Sequence, residues 1–313
     1  MRAVTIPEPG GPEVLRVAER ELREPGADEV RVAVRAASVN PTDIGLRAAG
    51  ADGLGPPWVP GMDFAGVVEW TGPGVEHLHI GDEVMGVVTP RRPEGGAQAE
   101  LVLAPAASVV EIPEGASFAE ASTLPMNGLT AELGLDMLGL GEGQSLAVTG
   151  GAGLLASYVI ALARARGLEV VADAKPEDEE LVRSFGADAV LPRGDGFVDA
   201  VRERYPDGVD GLYDTAVLRA AVLGAIRDGG GIAVIRGWDD SPVERGIQVH
   251  AVRVATVLER TDWLRELREM ASDGRIALRV AAELPPEQAA DAHRMMDAGG
   301  LRGRAVIVFG PND

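Results

Sequence analysis

The sequence has no cysteine and few aromatic residues. With no cysteine in 313 residues, disulfides, thiolate zinc sites and cysteine nucleophiles are excluded. The histidines are scattered without a neighbouring metal partner, and we interpret them as structural. They are His77, His79, His250 and His293. We therefore predict no metal site.

Positive charge is also scarce. The 29 lysines and arginines are outnumbered by 49 aspartates and glutamates, which gives a formal net charge of −20, and Lys175 is the only lysine. A chain this acidic is repelled by phosphate backbones and anionic bilayers. We expect neither nucleic acid nor a membrane as a partner.

The sequence has no long hydrophobic run of the kind typical of a membrane span. Residues 144–163 carry no charge, but central glycines divide them into a strand and a short helix. The first residues, MRAVTIPEPGG, have no apolar core of signal-peptide length. We expect a soluble, cytoplasmic protein.

The first third of the chain is predicted to form short strands. Gly-Pro, Pro-Gly and Pro-Pro pairs separate these strands, a pattern typical of a small antiparallel barrel. The strand candidates are residues 29–39, 64–70, 83–88, 100–103 and 109–112.

After residue 117 strands and helices alternate, which predicts a doubly wound parallel sheet of the α/β class. The strand candidates are residues 145–149, 168–172, 188–191, 209–213 and 231–235, with helices predicted at 176–185, 197–205, 216–227, 262–272 and 286–298. A last strand at 304–309 is expected to rejoin the first domain. The predicted domains are residues 1–117 with 253–313, and residues 118–252.

The most informative segment is the glycine turn between a strand and a helix at residues 150–153. Glycines let a pyrophosphate approach the backbone, and the amides of a helix start favour its charge. The predicted cofactor contacts in this segment are Gly150, Gly151, Ala152, Gly153, Leu154 and Leu155. Asp173, at the end of the next strand, can bind an adenosine ribose. The alternative is a glycine-rich turn in another kind of α/β domain.

Several further motifs are spread over nearly the whole chain. They are GGPEVLRV from Gly10, SVNPTD from Ser38, PGMDFAGVVEWTGPGV from Pro60, GDEVMG from Gly81, LPMNGLTA from Leu124, FGAD from Phe185 and RGRAVIVF from Arg302. Together with the glycine turn, they resemble the zinc-free quinone oxidoreductase branch of the medium-chain dehydrogenase/reductase superfamily. The resemblance implies a GroES-like β-barrel catalytic domain, a Rossmann domain, a cofactor in the cleft between them, and a homodimer.

The sequence departs from the superfamily's alcohol dehydrogenases at the zinc positions. By resemblance those positions correspond to Asn40, Met62 with Asp63, and Met126. None is a thiolate or an imidazole, and a carboxylate alone does not hold zinc. We therefore expect hydride transfer without a metal, to acceptors that are already electron-poor.

The resemblance assigns three residues to the catalytic region: Asn40, Asp43 and Met126. Asn40 also faces the nicotinamide in that assignment. The residues themselves equally favour an Asx turn with Pro41 at its second position, so both roles stay open. Asn127 is either a cofactor neighbour or a helix N-cap, and Thr130 is the better cofactor contact.

Two more cofactor contacts follow strands of the parallel sheet. Asp214 ends one strand, where the carboxyl ends of a parallel sheet face the ligand. It equally favours a cap for the helix predicted after it. Arg236 follows the next strand, near the place where the resemblance puts backbone against the carboxamide.

The choice of cofactor stays open between NADH and NADPH. Asp173 accepts hydrogen bonds from a ribose 2′-hydroxyl but repels a 2′-phosphate, which favours NADH. Many members of the family prefer NADPH, and Lys175 can pair with a phosphate.

The sequence thus predicts a zinc-independent, NAD(P)H-dependent oxidoreductase acting on a small hydrophobic quinone or α,β-unsaturated carbonyl compound. Since the first domain has no tyrosine, we expect solvent to protonate the product. One alternative is an enoyl-thioester reductase. Another is a relative that has lost redox turnover and binds a ligand or guides a non-redox biosynthetic step, because the bulk of Leu154 and Leu155 would crowd a diphosphate.

Overall fold

A computed structural model describes residues 1–310, which form two compact units. The first unit contains Met1–Met126, Leu258–Asp273 and the chain from Leu278 onward. The second contains Asn127–Val257 and Gly274–Ala277. The main unit boundaries thus follow residues 126 and 257, where the sequence suggested 117 and 252.

The strands and helices have the following bounds. The strands are β1 (Arg2–Thr5), β2 (Arg16–Glu19), β3 (Glu29–Ser38), β4 (Asp63–Thr71), β5 (Glu83–Val87), β6 (Leu101–Pro105), β7 (Val109–Glu111), β8 (Ser145–Thr149), β9 (Glu169–Ala174), β10 (Ala189–Pro192), β11 (Val209–Asp214), β12 (Ile226–Val234), β13 (Gln248–Ala251), β14 (Val280–Leu284) and β15 (Arg304–Val308). The α-helices are α1 (Pro41–Ala49), α2 (Phe118–Ala121), α3 (Pro125–Leu138), α4 (Leu154–Ala165), α5 (Glu179–Ser184), α6 (Phe197–Arg204), α7 (Thr261–Ser272) and α8 (Ala289–Ala298). Short 3₁₀ helices lie at Pro12–Val14, Ala106–Ser108, Pro176–Asp178, Arg219–Ala225, Val254–Thr256 and Pro286–Gln288.

The first unit is built around a mainly antiparallel sheet. Its strand order is β14-β15-β3-β4-β5-β7, β6 also pairs with β3, and β1 pairs with β2 separately. The alternation in β3 places Val30, Val32 and Val34 in the core beside Phe64. The last strand of the chain, β15, pairs antiparallel with β3.

The second unit is a six-stranded parallel sheet of order β10-β9-β8-β11-β12-β13. This is the Rossmann order, in which the chain switches direction across the sheet between β8 and β11. Every residue of β8 is buried, as expected for a central parallel strand. The predicted fold class is confirmed.

The helix predicted at residues 216–227 is wrong. This stretch forms a 3₁₀ helix over Arg219–Ala225, and β12 begins at Ile226, which pairs with Val209. Val217 and Arg219 have φ of 59° and 52°, which an α-helix cannot accommodate. Sheet pairing therefore overrides the helical propensity of the alanines and leucines.

Two helix starts also differ from the sequence interpretation. Asn127 is the third residue of α3, which begins at Pro125, so its prediction as an N-cap is wrong. Residues after Asn40, interpreted as a turn, instead form α1 with Asn40 as N-cap and Pro41 as first residue. Within residues 1–310, each helix is too short or too polar to cross a bilayer.

Candidate active site

The glycine turn in the second unit brings backbone close to β9. Gly150 has φ of +71°, in the left-handed region that favours glycine. A Cβ added to Gly151 would lie 2.5 Å from the carbonyl oxygen of Asp173, so a side chain there would collide with β9. α4 begins at Leu154 with Gly153 at its N-cap position. Amides in the first turn of a helix have no intrahelical acceptor and favour an anion.

The two leucines after the turn differ in their surroundings. Leu154 is 1% exposed and is part of the packed interior. Leu155 is partly exposed. The bulk of Leu154 is therefore absorbed by the core rather than placed over the turn, which leaves Leu155 as the residue that can contact a ligand there.

Asp173 is joined directly to the turn. The N–H of Gly151 donates to Oδ1 of Asp173 at 3.0 Å and to its carbonyl oxygen at 3.2 Å. The Asp173 side chain is buried, and within residues 1–310 its Oδ2 accepts no hydrogen bond. Burial raises the pKa of Asp173, while the Gly151 bond and the charge of Arg193 lower it. A buried carboxylate oxygen that lacks a donor fits a hydroxyl of an adenosine ribose.

Two basic residues flank the segment around Asp173. Lys175 is exposed, and its Nζ lies 3.7 Å from Oε1 of Glu177. Arg193 is exposed and directly follows β10, where Leu191 pairs with Asp173. Sequence reasoning missed Arg193 because no motif marks it; only the order of the strands brings it beside β9.

Asp214 lies at the point where the sheet changes direction. Its Oδ1 accepts a hydrogen bond from Thr149 Oγ1 at 2.7 Å, and its Oδ2 accepts one from the N–H of Arg219, also at 2.7 Å. Asp214 is fully buried, so these bonds make it an organiser of the loop after β11. Its capping partner is the 3₁₀ helix rather than the predicted α-helix. Arg236, with φ of 61°, lies exposed two residues after β12.

Thr130 lies on α3 in the second unit and is 7% exposed. Its carbonyl oxygen accepts a hydrogen bond from the Tyr213 hydroxyl at 2.6 Å. The Tyr213 ring fits against Gly134, where an added Cβ would come within 2.3 Å of it. Burial raises the pKa of Tyr213. These contacts fix α3 against β11.

In the first unit, the predicted catalytic residues form one buried hydrogen-bonded cluster. Nδ2 of Asn40 donates to Oδ2 of Asp63 at 2.7 Å, and Oδ1 of Asn40 accepts from Nε of Arg304 at 2.8 Å. The N–H of Met126 donates to Oδ1 of Asp63 at 2.6 Å. Asp43 joins the cluster by accepting the N–H of Asn40. We call these five residues the Asn40 cluster.

Asp43 connects α1 to the chain before β4. Its Oδ2 accepts the N–H of Asn40 and its Oδ1 accepts the N–H of Gly61, both at 2.7 Å. The first bond is half of a capping box at the start of α1. Asp43 is fully buried and bonded to backbone on both oxygens, so it holds the shape of the cluster.

The two carboxyl groups of the Asn40 cluster are hard to ionise. Burial raises the pKa of Asp63 to about 7, partly offset by the bonds from Met126 and Asn40. Burial raises the pKa of Asp43 to about 6, offset by the bonds from Asn40 and Gly61. Sequence reasoning left Asp63 and Arg304 out of the site residues, although Asp63 stands in the PGMDFAG motif. Their contacts to Asn40 bridge distant parts of the chain.

Two known protein families match segments of this chain, and together these segments include parts of both units. Residues 26–114 match the alcohol dehydrogenase GroES-like domain, and residues 185–307 match a family described as zinc-binding dehydrogenase. The chain is 30% identical to the 2-methylene-furan-3-one reductase of Solanum lycopersicum, over 98% of this chain and 79% of that protein. It is also 30% identical, with the same two coverages of 98% and 79%, to the chloroplastic NADPH-dependent alkenal/one oxidoreductase of Arabidopsis thaliana.

A solved structure shows the same architecture. The crystal structure of an NAD-dependent alcohol dehydrogenase aligns with a TM-score of 0.87 and 30% identity, over 99% of this chain and 100% of that one. The chain therefore belongs to the medium-chain dehydrogenase/reductase superfamily of oxidoreductases, which confirms the resemblance of its motifs.

Proposed function

We propose that the chain is a reduced-nicotinamide-dependent oxidoreductase that reduces conjugated carbonyl compounds or quinones without a metal ion. The observation that carries this proposal is the direct hydrogen bond between the glycine turn and Asp173, whose buried Oδ2 accepts no hydrogen bond within residues 1–310. The names of the tomato and Arabidopsis relatives, a 2-methylene-furan-3-one reductase and an alkenal/one oxidoreductase, support the acceptor class.

The second unit supplies the cofactor contacts in this proposal. The cofactor, when bound, supplies a hydride to the acceptor. The turn from Gly150 to Gly153 and the first helical residues, Leu154 and Leu155, hold its diphosphate through backbone amides. Asp173 binds the adenosine ribose, with Lys175 beside it. Thr130, Asp214 and Arg236 complete the contacts predicted in the second unit, and Asp214 acts by shaping the loop after β11.

Asp173 favours NADH in this proposal. A carboxylate at this position accepts the 2′-hydroxyl and repels a 2′-phosphate. Arg193 and Lys175 oppose that repulsion, and the compared proteins are named for both cofactors, NADPH in Arabidopsis and NAD in the alcohol dehydrogenase structure. We therefore expect both cofactors to bind, NADH more tightly.

The first unit supplies the residues around the reacting groups in this proposal. Asn40 and Met126 are proposed beside the acceptor and the nicotinamide, and Asp43 positions Asn40 through its backbone bond. Asp63 and Arg304 hold the Asn40 carboxamide in one orientation. Proximity and orientation then lower the barrier, and solvent protonates the reduced product.

Zinc does not fit the Asn40 cluster. Asp63 is the only carboxylate at the positions that correspond to zinc ligands, and both of its oxygens accept hydrogen bonds. Met62, Met126 and Asn40 offer a thioether or a carboxamide, which are poor zinc ligands. We therefore derive no step through a metal.

The proposal is tested by steady-state kinetics with each reduced nucleotide. Phenanthrenequinone, a small conjugated enone and crotonyl thioester serve as acceptors, and loss of the reduced nucleotide is measured. We expect turnover of the enone or the quinone. Exclusive turnover of the thioester would assign enoyl-thioester reduction instead, and binding of neither nucleotide would assign a non-redox role.

Asn40→Ala and Asp43→Asn test the catalytic assignments. Each is expected to lower kcat/KM by more than it weakens nucleotide binding, because most of the proposed nucleotide contacts lie in the second unit. Arg35→Gln, a substitution of a partly exposed residue in β3, serves as control. Unchanged kcat/KM in both cluster variants would remove these residues from the mechanism.

We also propose a cytoplasmic homodimer. The family resemblance supports the dimer, and the absence of cysteine is compatible with a reducing compartment. Light scattering coupled to gel filtration tests the first point, and cell fractionation tests the second.

A further inference from the structure

A cavity of about 140 Å³ lies within the first unit, apart from the Asn40 cluster. Three chain segments form its wall: the residue that follows β2, the chain between α1 and β4, and the loop after β5. Arg20 and Arg92 line it together with the apolar surfaces of Leu54, Pro57 and Trp58. The cavity is thus lined by two arginines and by several apolar residues.

Arg92 is partly buried, and within residues 1–310 its charge is not neutralised by a direct ion pair. Its Nε donates to the carbonyl oxygen of Gly95 at 2.8 Å. Over residues 1–310 this is its only side-chain hydrogen bond, and no carboxylate forms an ion pair with it. Burial accordingly lowers the pKa of Arg92 to about 10. A guanidinium in this state gains from an anion that reaches it.

The nearby acids are bound to another residue. Glu29 and Glu94 act on Arg92 from a distance, but both pair directly with Arg23. Nη2 of Arg23 lies 2.6 Å from Oε1 of Glu29, and Nε of Arg23 lies 2.5 Å from Oε1 of Glu94. Glu29 and Glu94 therefore form their ion pairs with Arg23, which is not among the residues that line the cavity.

Arg20 is held at the cavity by its backbone. Its N–H donates to the Met1 carbonyl at 2.8 Å, and its own carbonyl accepts from the Met1 amino group at 3.0 Å. Within the part of the chain that the structure describes, its side chain has no hydrogen-bonding partner. Both cavity arginines thus keep donors for a ligand.

We propose that this cavity binds a small organic carboxylate. The carboxylate lies between Arg20 and Arg92, since two guanidinium groups match its oxygens, and the apolar body packs on Trp58 and Leu54. A singly charged group is favoured over a phosphate because the net charge of −20 opposes multiply charged anions. The cavity is also too small for a nucleotide. This site is independent of the nucleotide site proposed above.

Calorimetric titration of the full chain with benzoate tests this site. Benzamide, which has the same shape without the charge, and inorganic phosphate are titrated in parallel. We expect benzoate to bind and benzamide to bind at least about tenfold more weakly. Equal binding of benzoate and benzamide, tighter binding of phosphate, or no benzoate binding at millimolar concentration would overturn the proposal.

Variants locate the site. Arg20→Gln and Arg92→Gln are each expected to weaken benzoate binding about tenfold. Arg183→Gln, which removes an exposed arginine paired with Glu179 in the second unit, is the control and should bind as the wild type does. Arg92→Lys keeps the charge but loses the planar set of donors, so its affinity should lie between those of the wild type and Arg92→Gln. If Arg92→Gln fails to fold, Arg20→Gln and Arg92→Lys decide the matter, and unchanged binding in Arg20→Gln contradicts the proposal.

Discussion

The backbone N–H of Gly151 donates to the carboxylate of Asp173 at 3.0 Å, so the glycine turn and the end of β9 form one hydrogen-bonded unit. The same N–H also reaches the Asp173 carbonyl oxygen at 3.2 Å. A change in either residue therefore alters both the proposed diphosphate contact and the proposed ribose contact.

Replacing Asp173 is expected to change the cofactor preference. Asp173→Asn removes the negative charge that opposes a 2′-phosphate, so NADPH should bind more tightly. NADH should bind about tenfold more weakly, because a charged acceptor for the ribose is lost. Fluorescence titration of both nucleotides measures the two Kd values. Asp199→Asn, an exposed change on α6, is the control, and an unaltered ratio of the Kd values in Asp173→Asn would refute this role.

Gly151→Ala is expected to disrupt the turn. The added Cβ would approach the Asp173 carbonyl oxygen to 2.5 Å, and the backbone must shift to relieve the contact. We expect a loss of about 1–3 kcal/mol in the free energy of unfolding and a strong loss of nucleotide binding. Denaturant unfolding and nucleotide titration measure the two effects.

The matched control for this glycine is Gly141→Ala. A Cβ on Gly141 would meet only Oε1 of Gln144, at 3.7 Å, which is ordinary contact. Equal effects of the two alanines on stability and binding would mean that close packing of Gly151 on β9 has no special role.

The Asn40 cluster predicts a pH dependence of stability. The pKa values of Asp63 and Asp43 are raised from 3.8 to about 7 and about 6. Between about pH 4 and pH 7 the folded protein therefore binds more protons than the unfolded chain, so these groups make the free energy of unfolding fall as pH rises. Above about pH 7 the contribution of Asp63 and Asp43 to the free energy of unfolding no longer changes with pH.

Asp63→Asn isolates this contribution. The variant removes one raised pKa, so its Tm should depend less steeply on pH than that of the wild type. Each pKa unit corresponds to about 1.4 kcal/mol. Asp136→Asn, an exposed change on α3, should leave the slope unaltered. Parallel Tm profiles for the wild type and Asp63→Asn would argue against a raised pKa for Asp63.

Metal removal is expected to leave activity unchanged. Both oxygens of Asp63 are engaged by Asn40 and Met126, which leaves no suitable ligand set at the zinc positions. Initial rates with phenanthrenequinone should be equal before and after treatment with EDTA or ortho-phenanthroline. Loss of activity that added zinc restores would contradict the proposed chemistry.

The sequence predicted those parts of the fold that depend on local pattern. Strand, glycine turn and helix at residues 145–165 carry a strong periodic signal, and Gly151 meets the requirement for close backbone approach. The strands of the first unit were found from alternation, as in β3. Both signals act over a few residues, so they can be read without knowing the rest of the molecule.

Features that depend on distant residues were not predictable in this way. Residues 216–227 have high helical propensity, yet Asp214 bonds the N–H of Arg219 and Ile226 joins the sheet. The contact of Arg304 with Asn40 joins residues 264 positions apart, and no local pattern signals it. Arg193 reaches the Asp173 region only because β10 pairs with β9.

Calorimetric titration of the metal-free chain with NADH, and then with NADPH, tests the central claim most directly. Saturable binding of one nucleotide per chain is expected for NADH, and weaker binding for NADPH. A chain that takes up neither nucleotide would contradict the claim that the turn beside Asp173 is a dinucleotide site.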